Sequence, residues 1–246
     1  MEIFEHPSPN HGARRQGARP ALVVLHHTGM ATADAALARL CDPAAEVSAH
    51  YLIAEDGRVW QLVAEERRAW HAGVASWGAG GDVNSRSIGL ELANPGEGPG
   101  AHPYPEPQMR ALEALLAAVC ARWTIPPEGI VGHACVAPTR KADPGRGFDW
   151  RRLALSGLAI WDWASDAQAD PPSPPDPSAP MFQQAARRFG YPVPQTGRWD
   201  GDTLAVWRAF CLRFRPQAVG DRPSGAGLAA LVRLAQRYPA VGCVQD

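Results

Sequence analysis

The sequence predicts two folded parts. Residues 1–164 read as an α/β domain, a mixed sheet flanked by helices, and residues 181–246 as a small three-helix domain. Three observations carry this. Short β-branched apolar runs mix with a helix-period segment in the first part. The stretch "SDAQADPPSPPDPSAP", residues 165–180, holds six prolines and no apolar side chain larger than alanine. It cannot bury a core and is read as a semi-rigid linker. Three helix-period segments then follow, and both flanking parts are of domain size.

The elements follow in chain order. "ALVVLHH", residues 21–27, is a short apolar run of the kind a buried strand shows. "HYLIAEDGRVWQLV" reads as two strands joined at Asp56-Gly57, a favoured hairpin turn. In "SIGLELA", Ile88, Leu90 and Leu92 share one face, while Ser87, Gly89, Glu91 and Ala93 share the other. "PQMRALEALLAAVCARW" puts Met109, Leu112, Leu115, Leu116, Val119 and Trp123 on one helical stripe. Strands with covering helices make a sheet domain. After the linker, "PMFQQAARRFGY" predicts a helix stopping near Gly190. "GDTLAVWRAFCLRF" places Leu204, Trp207, Phe210 and Phe214 on a stripe, with Asp202 or Thr203 as cap. "SGAGLAALVRLAQRY" gives a third helix through Leu228, Leu231, Val232 and Leu234. A part this small needs compact packing.

Composition narrows the function classes. The 246 residues carry 24 basic and 25 acidic side chains, a net charge of -1, so no field of one sign draws in nucleic acid. No apolar run is long enough to span a bilayer. The five cysteines are scattered, odd in number and without a CxxC pair, which suits a reducing compartment. The first twenty residues contain no apolar run of the secretory kind, so the sequence points to the cytoplasm, with the periplasm as the alternative if a leader has been removed.

The chemistry concentrates in "GHACVAPTRKADPG", residues 132–145. His133 follows the apolar "IVG" and belongs at a strand end. Asp143 comes ten residues later, past a segment that Pro138 and Pro144 keep out of helix. The stretch is either a solvated turn or half of a metal site. An imidazole and a carboxylate suit Zn²⁺, whose catalytic sites use three protein ligands and leave one position for water. A third ligand is available in "LHHT", where only one of His26 and His27 can face the site, because successive strand residues point to opposite sides. Glu91 stands alone among apolar neighbours. It faces either a cleft, as a general base beside a metal site would, or solvent. By spacing alone none of these is a specific signature.

Taken in order, "VVLHHT", "VSAHYLIAEDGRVWQLV", "RAWHAG", "NSRSIGLELAN" and "GHACVAPTRKADPGRGFDW" resemble the zinc-dependent N-acetylmuramoyl-L-alanine amidases of the type-2 amidase family, the AmpD and AmiD group. The resemblance covers residues 9–158. The tail, through "TGRWDGDTLAVWRAF", resembles a helical peptidoglycan-binding module, and the alternative reading is a helical brace on the catalytic domain. The family implies a mixed sheet and cleavage of the amide between the muramic acid lactyl group and L-alanine. Carried over by motif, His26, His133 and Asp143 are the implied zinc ligands, Glu91 the catalytic carboxylate, and Lys141 the cation that stabilises the developing oxyanion. Trp70, His71, Ala72 and Gly73 resemble a substrate-lining loop, with Asn94 and Arg140 near the same cleft. The implied partners are peptidoglycan fragments, chiefly anhydro-muropeptides in cell-wall recycling.

Other residues read as structural. His27 is expected behind its strand and His50 within the half-buried sheet. The nine tryptophans are mostly core candidates. Ala134-Cys135-Val136 departs from the family's usual Ser-Asp-Ile, and the Cys135 thiol is expected to point away from the metal. The rival function is a recognition module that binds peptidoglycan without cutting it. Relatives of that kind lack a metal ligand, and here all three positions are filled.

Overall fold

Leu22–His27 forms the strand on which the first part is built. Val23, Val24 and Leu25 are fully buried, as expected for a continuous apolar run covered on both faces. The computed structural model describes residues 2–78, 80–98, 100–164, 177–220 and 222–240. Their strands are β1 (Ile3–Glu5), β2 (His11–Ala13), β3 (Leu22–His27), β4 (Tyr51–Ile53), β5 (Val59–Gln61), β6 (Arg67–Ala69), β7 (Ser87–Leu92) and β8 (Ile130–Gly132). Six of them make one mixed sheet in the order β1-β5-β4-β7-β3-β8, and β2 pairs with β6. β4 and β5 form the expected antiparallel hairpin, with Gly57 at φ 90° in its turn. β4, β7, β3 and β8 run parallel, so their carboxyl ends lie side by side.

The helices of this part are α1 (Ala33–Cys41), α2 (Val83–Arg86), α3 (Glu106–Trp123), α4 (His133–Val136) and α5 (Trp150–Leu155). α1, β1, β2 and β6 are short, and no periodic run announces them. α1 is started by Thr32, whose side chain accepts from the Ala35 amide. α3 buries the predicted stripe from Met109 to Val119. Two polar ties hold it to the sheet. The Gln108 amide donates 2.9 Å bonds to the Ile53 and Ala93 carbonyls at the ends of β4 and β7. The buried Glu65 carboxylate accepts from the Tyr51 hydroxyl at 2.7 Å, from Arg122 at 2.5 Å, and from the Trp123 indole.

The described residues divide into two compact units. The sheet unit comprises Met1–Ala75, Asp82–His133 and Asp143–Ile160. The helical unit comprises Ser76–Gly81, Ala134–Ala142 and Trp161–Asp246. It is built on α6 (Ala179–Phe189), α7 (Gly201–Phe214) and α8 (Gly225–Arg237). Phe182, Phe210, Ala186, Ala230 and Leu231 are fully buried among them.

Residues 165–176, most of the expected linker, lie outside the described residues. In segment 76–81 Trp77 packs its ring on Phe189 and Tyr191, with centroids 5.8 and 5.1 Å apart, and the Ser76 amide donates to the Val136 carbonyl of segment 134–142 at 2.8 Å. The Cys135 thiol lies 3.7 Å from the Tyr191 hydroxyl. α7 also differs in detail from its sequence pattern. Asp200, not Asp202 or Thr203, caps it by accepting from the Thr203 amide at 2.9 Å. Leu204 is 41% exposed, while Thr203, Val206, Trp207 and Phe210 face inward.

Candidate metal centre

β3 lies between β7 and β8, and all three run parallel. His26 pairs in register with Glu91 of β7, so the two side chains leave the sheet on the same side. Leu25 pairs with Gly132 of β8, and His133 follows as the chain turns into α4. Three neighbouring strands thus deliver Glu91, His26 and His133 to one carboxyl edge, the usual place for a site in a parallel sheet. Asp143 returns to that edge after ten residues. Gly132 permits this close return, because a Cβ there would sit 2.8 Å from Pro144. The Tyr104 hydroxyl donates to the Pro144 carbonyl at 2.6 Å and anchors the same turn.

Three ligand atoms converge. His26 Nδ1 lies 2.9 Å from His133 Nδ1 and 3.1 Å from Asp143 Oδ2, and His133 Nδ1 lies 3.0 Å from the same oxygen. All three residues are buried. His133 Nε2 lies 3.1 Å from the Ala72 carbonyl, which can only accept, so the ring carries its hydrogen there and turns a bare Nδ1 inward. A tetrahedral zinc with bonds of about 2.0–2.2 Å separates its ligand atoms by about 3.3–3.6 Å. The observed triangle is a few tenths of an ångström tighter, a difference that small side-chain rotations absorb. Donor chemistry and spacing both fit zinc.

The sequence profile of the Amidase_2 family, N-acetylmuramoyl-L-alanine amidase, matches residues 16–146, just over half of the chain. The chain belongs to this amidase family. AmiD of Escherichia coli K12, an N-acetylmuramoyl-L-alanine amidase, is 34% identical over 236 residues, covering 89% of this chain and 84% of that protein. AmpD of Enterobacter cloacae, a 1,6-anhydro-N-acetylmuramyl-L-alanine amidase, is 36% identical over 164 residues, covering 60% of this chain and 86% of that one. Among solved structures, E. coli AmiD in complex with anhydro-N-acetylmuramic acid-L-Ala-D-gamma-Glu-L-Lys matches with a TM-score of 0.79 at 33% identity, over 91% of this chain and 92% of that one. AmpDh3 from Pseudomonas aeruginosa with an anhydromuramic pentapeptide gives 0.76 at 30% identity, over 92% and 95%.

The remaining predicted residues of this amidase-family chain fall as follows. Glu91 is half-buried on the His26 side of the sheet. Lys141 and Arg140 are exposed on the turn that closes on the Ala137 carbonyl. Trp70 is half-buried and Gly73 exposed at φ 60°. Ala72 is fully buried, with its carbonyl turned to His133. Asn94 is buried too. Its side chain accepts from the Gly96 amide at 2.9 Å and donates to the His102 carbonyl at 3.2 Å. His71 is buried, with Nδ1 3.1 Å from His26 Nε2 and Nε2 3.2 Å from the Ser87 hydroxyl. Burial, then the neighbouring His26, His50 and His133, push its pKa well below the ordinary histidine value, so the ring is neutral.

Sequence reasoning had no role for Asn84, Ser87 and Gly89. They lie within "NSRSIGLELAN", yet nothing in their spacing marks them as neighbours of His71. His50 is structural. Its Nδ1 accepts from the Gly89 amide at 2.9 Å, and burial lowers its pKa to about 3.

Proposed function

We propose that this chain is a zinc amidase that hydrolyses the amide between N-acetylmuramic acid, or its 1,6-anhydro form, and L-alanine in muropeptides, in the service of cell-wall recycling. The observation that carries it is the convergence of His26 Nδ1, His133 Nδ1 and Asp143 Oδ2 on one point at the carboxyl edge of the sheet. Relatives whose names specify the 1,6-anhydro sugar, and the AmiD structure with an anhydro-muramyl tripeptide, support the substrate class.

Zinc, when bound, polarises the scissile carbonyl and acidifies water. His26, His133 and Asp143 hold it. Glu91, on the same side of the sheet as His26, takes a proton from the attacking water and returns it to the departing L-alanine amine. Lys141 offers positive charge where the tetrahedral oxygen becomes anionic, an effect of about 3–4 kcal/mol for a well-placed donor. Trp70, Gly73 and Arg140 line the substrate cleft in this reading. The helical unit serves as the wall-binding part, and sedimentation of the full chain with sacculi tests that role. Among the described residues no helix is long and apolar enough to cross a membrane, and a fluorescent fusion decides between cytoplasm and periplasm.

The deciding experiment is mass spectrometry of products from anhydro-muramoyl-tripeptide, with and without a chelator. Release of a free peptide beginning with L-alanine, abolished by the chelator and restored by zinc, is the expected result. Intact substrate in the presence of bound zinc would favour recognition without cleavage.

A further inference from the structure

We propose that residues 71–72, braced by Asn84, Ser87 and Gly89, form an outer support that sets the tautomer of both histidine ligands, with His71 as the positioning residue for His26. This rests on the zinc reading above. The proton positions follow from the heavy-atom partners, starting at the end remote from the metal. The Ser87 hydroxyl has one hydrogen, and the Val83 carbonyl takes it at 2.6 Å. Ser87 Oγ must therefore accept from His71 Nε2 at 3.2 Å. His71 then carries its hydrogen on Nε2 and presents a bare Nδ1. His26 Nε2, 3.1 Å away, donates to it. That leaves His26 Nδ1 bare and facing His133 and Asp143.

The next residue does the same for the second ligand. The Ala72 carbonyl accepts from His133 Nε2 at 3.1 Å and leaves His133 Nδ1 bare. Two consecutive residues, one by its ring and one by its backbone, thus turn both lone pairs toward the carboxylate. Their own placement is secured as well. Asn84 Oδ1 accepts from the amides of His71 at 3.2 Å and Ala72 at 2.8 Å. Gly89 vacates the space for the ring, since a Cβ there would stand 2.4 Å from His71 Cγ. A ligand histidine whose second nitrogen loses such a partner binds metal about 10–100-fold more weakly.

The test compares the full-length wild type with His71→Leu, His71→Asn and Ser87→Ala. Zinc affinity is read by competition with a chromophoric chelator, and the His26 tautomer by ring ¹⁵N NMR of the metal-free protein. His71→Leu is expected to weaken zinc about 10–100-fold and to mix the His26 tautomers. His71→Asn puts an amide oxygen near the Nδ1 position and is expected to keep affinity within about threefold of wild type, a rescue that loss of packing alone would not show. If His71→Leu is too unstable to titrate, Ser87→Ala decides. It frees His71 to take either tautomer and is expected to weaken zinc about two- to tenfold. Wild-type affinity and an unchanged His26 tautomer in His71→Leu, or wild-type affinity in Ser87→Ala, would overturn the proposal. A wild type that binds no zinc would instead refute the metal reading itself, and this inference with it.

Discussion

Gly89→Ala is the most informative single change, because the structure sets its scale. The added methyl would lie 2.4 Å from His71 Cγ, 2.5 Å from Cδ2 and 2.7 Å from Nδ1. Ordinary contact begins at 3.4 Å, so the ring must retreat by about 1 Å. It cannot do so and keep both of its bonds, at 3.1 Å to His26 and 3.2 Å to Ser87. Overpacking costs about 1–3 kcal/mol and a lost buried hydrogen bond about 1–3 kcal/mol, so about 2–6 kcal/mol is at stake. That is a large share of the stability of a typical domain. Urea titration of the metal-free protein measures this loss, and chelator competition measures the accompanying fall in zinc affinity. The double variant Gly89→Ala/His71→Ala removes the clashing ring. It should recover stability toward the His71→Ala value without recovering zinc affinity, a non-additivity expected of touching residues. A Gly89→Ala protein within about 0.5 kcal/mol of wild type would refute the reasoning, because that is the scale of a surface substitution.

Two further predictions follow from the site and its surroundings. Glu91→Ala should retain zinc and lose turnover by about 10²–10⁴-fold, and steady-state kinetics at full metal occupancy checks this; full activity would remove Glu91 as the base. Acid stability should carry a contribution from His50, whose folded pKa of about 3 lies below the ordinary 6.5. Between those values the unfolded chain takes up a proton that the folded chain refuses. Its contribution is therefore complete above pH 6.5 and lost as pH falls toward 3, with a slope approaching about 1.4 kcal/mol per pH unit. Urea midpoints of the metal-free wild type and His50→Gln, taken from pH 7 to pH 4, should differ in slope; equal slopes would show that His50 is not the group responsible.

Most of what carries periodic burial was legible in the sequence. The run through Val23, Val24 and Leu25, the Asp56-Gly57 hairpin and the α3 stripe all appear where the sequence places them, because a strand covered on both faces is continuously apolar, a tight hairpin turn calls for glycine at positive φ, and a half-buried helix repeats its apolar residues. Short edge strands such as β1 carry too few residues to show a period, and all three of its residues are exposed. The cap of α7 lies two or three residues before the expected position, since Asp200, Asp202 and Thr203 are all chemically able to cap and only backbone geometry selects among them. Trp77 joins the helical unit through its ring contacts with Phe189 and Tyr191, and Cys135 through its approach to the Tyr191 hydroxyl, and no local pattern encodes either.

By itself, then, the sequence determined which residue types stand at the carboxyl ends of the strands, and through them the family and the trio His26, His133 and Asp143. That information is local, since a strand's end and a motif's chemistry can be read within a few residues. Only the tertiary structure decided which nitrogen of each imidazole turns inward and what holds it there. His26 meets partners 45, 107 and 117 positions away, and His133 leans on a carbonyl 61 positions earlier. A ring nitrogen's role is set by the hydrogen bond its opposite nitrogen makes, and chain packing alone brings that partner within reach.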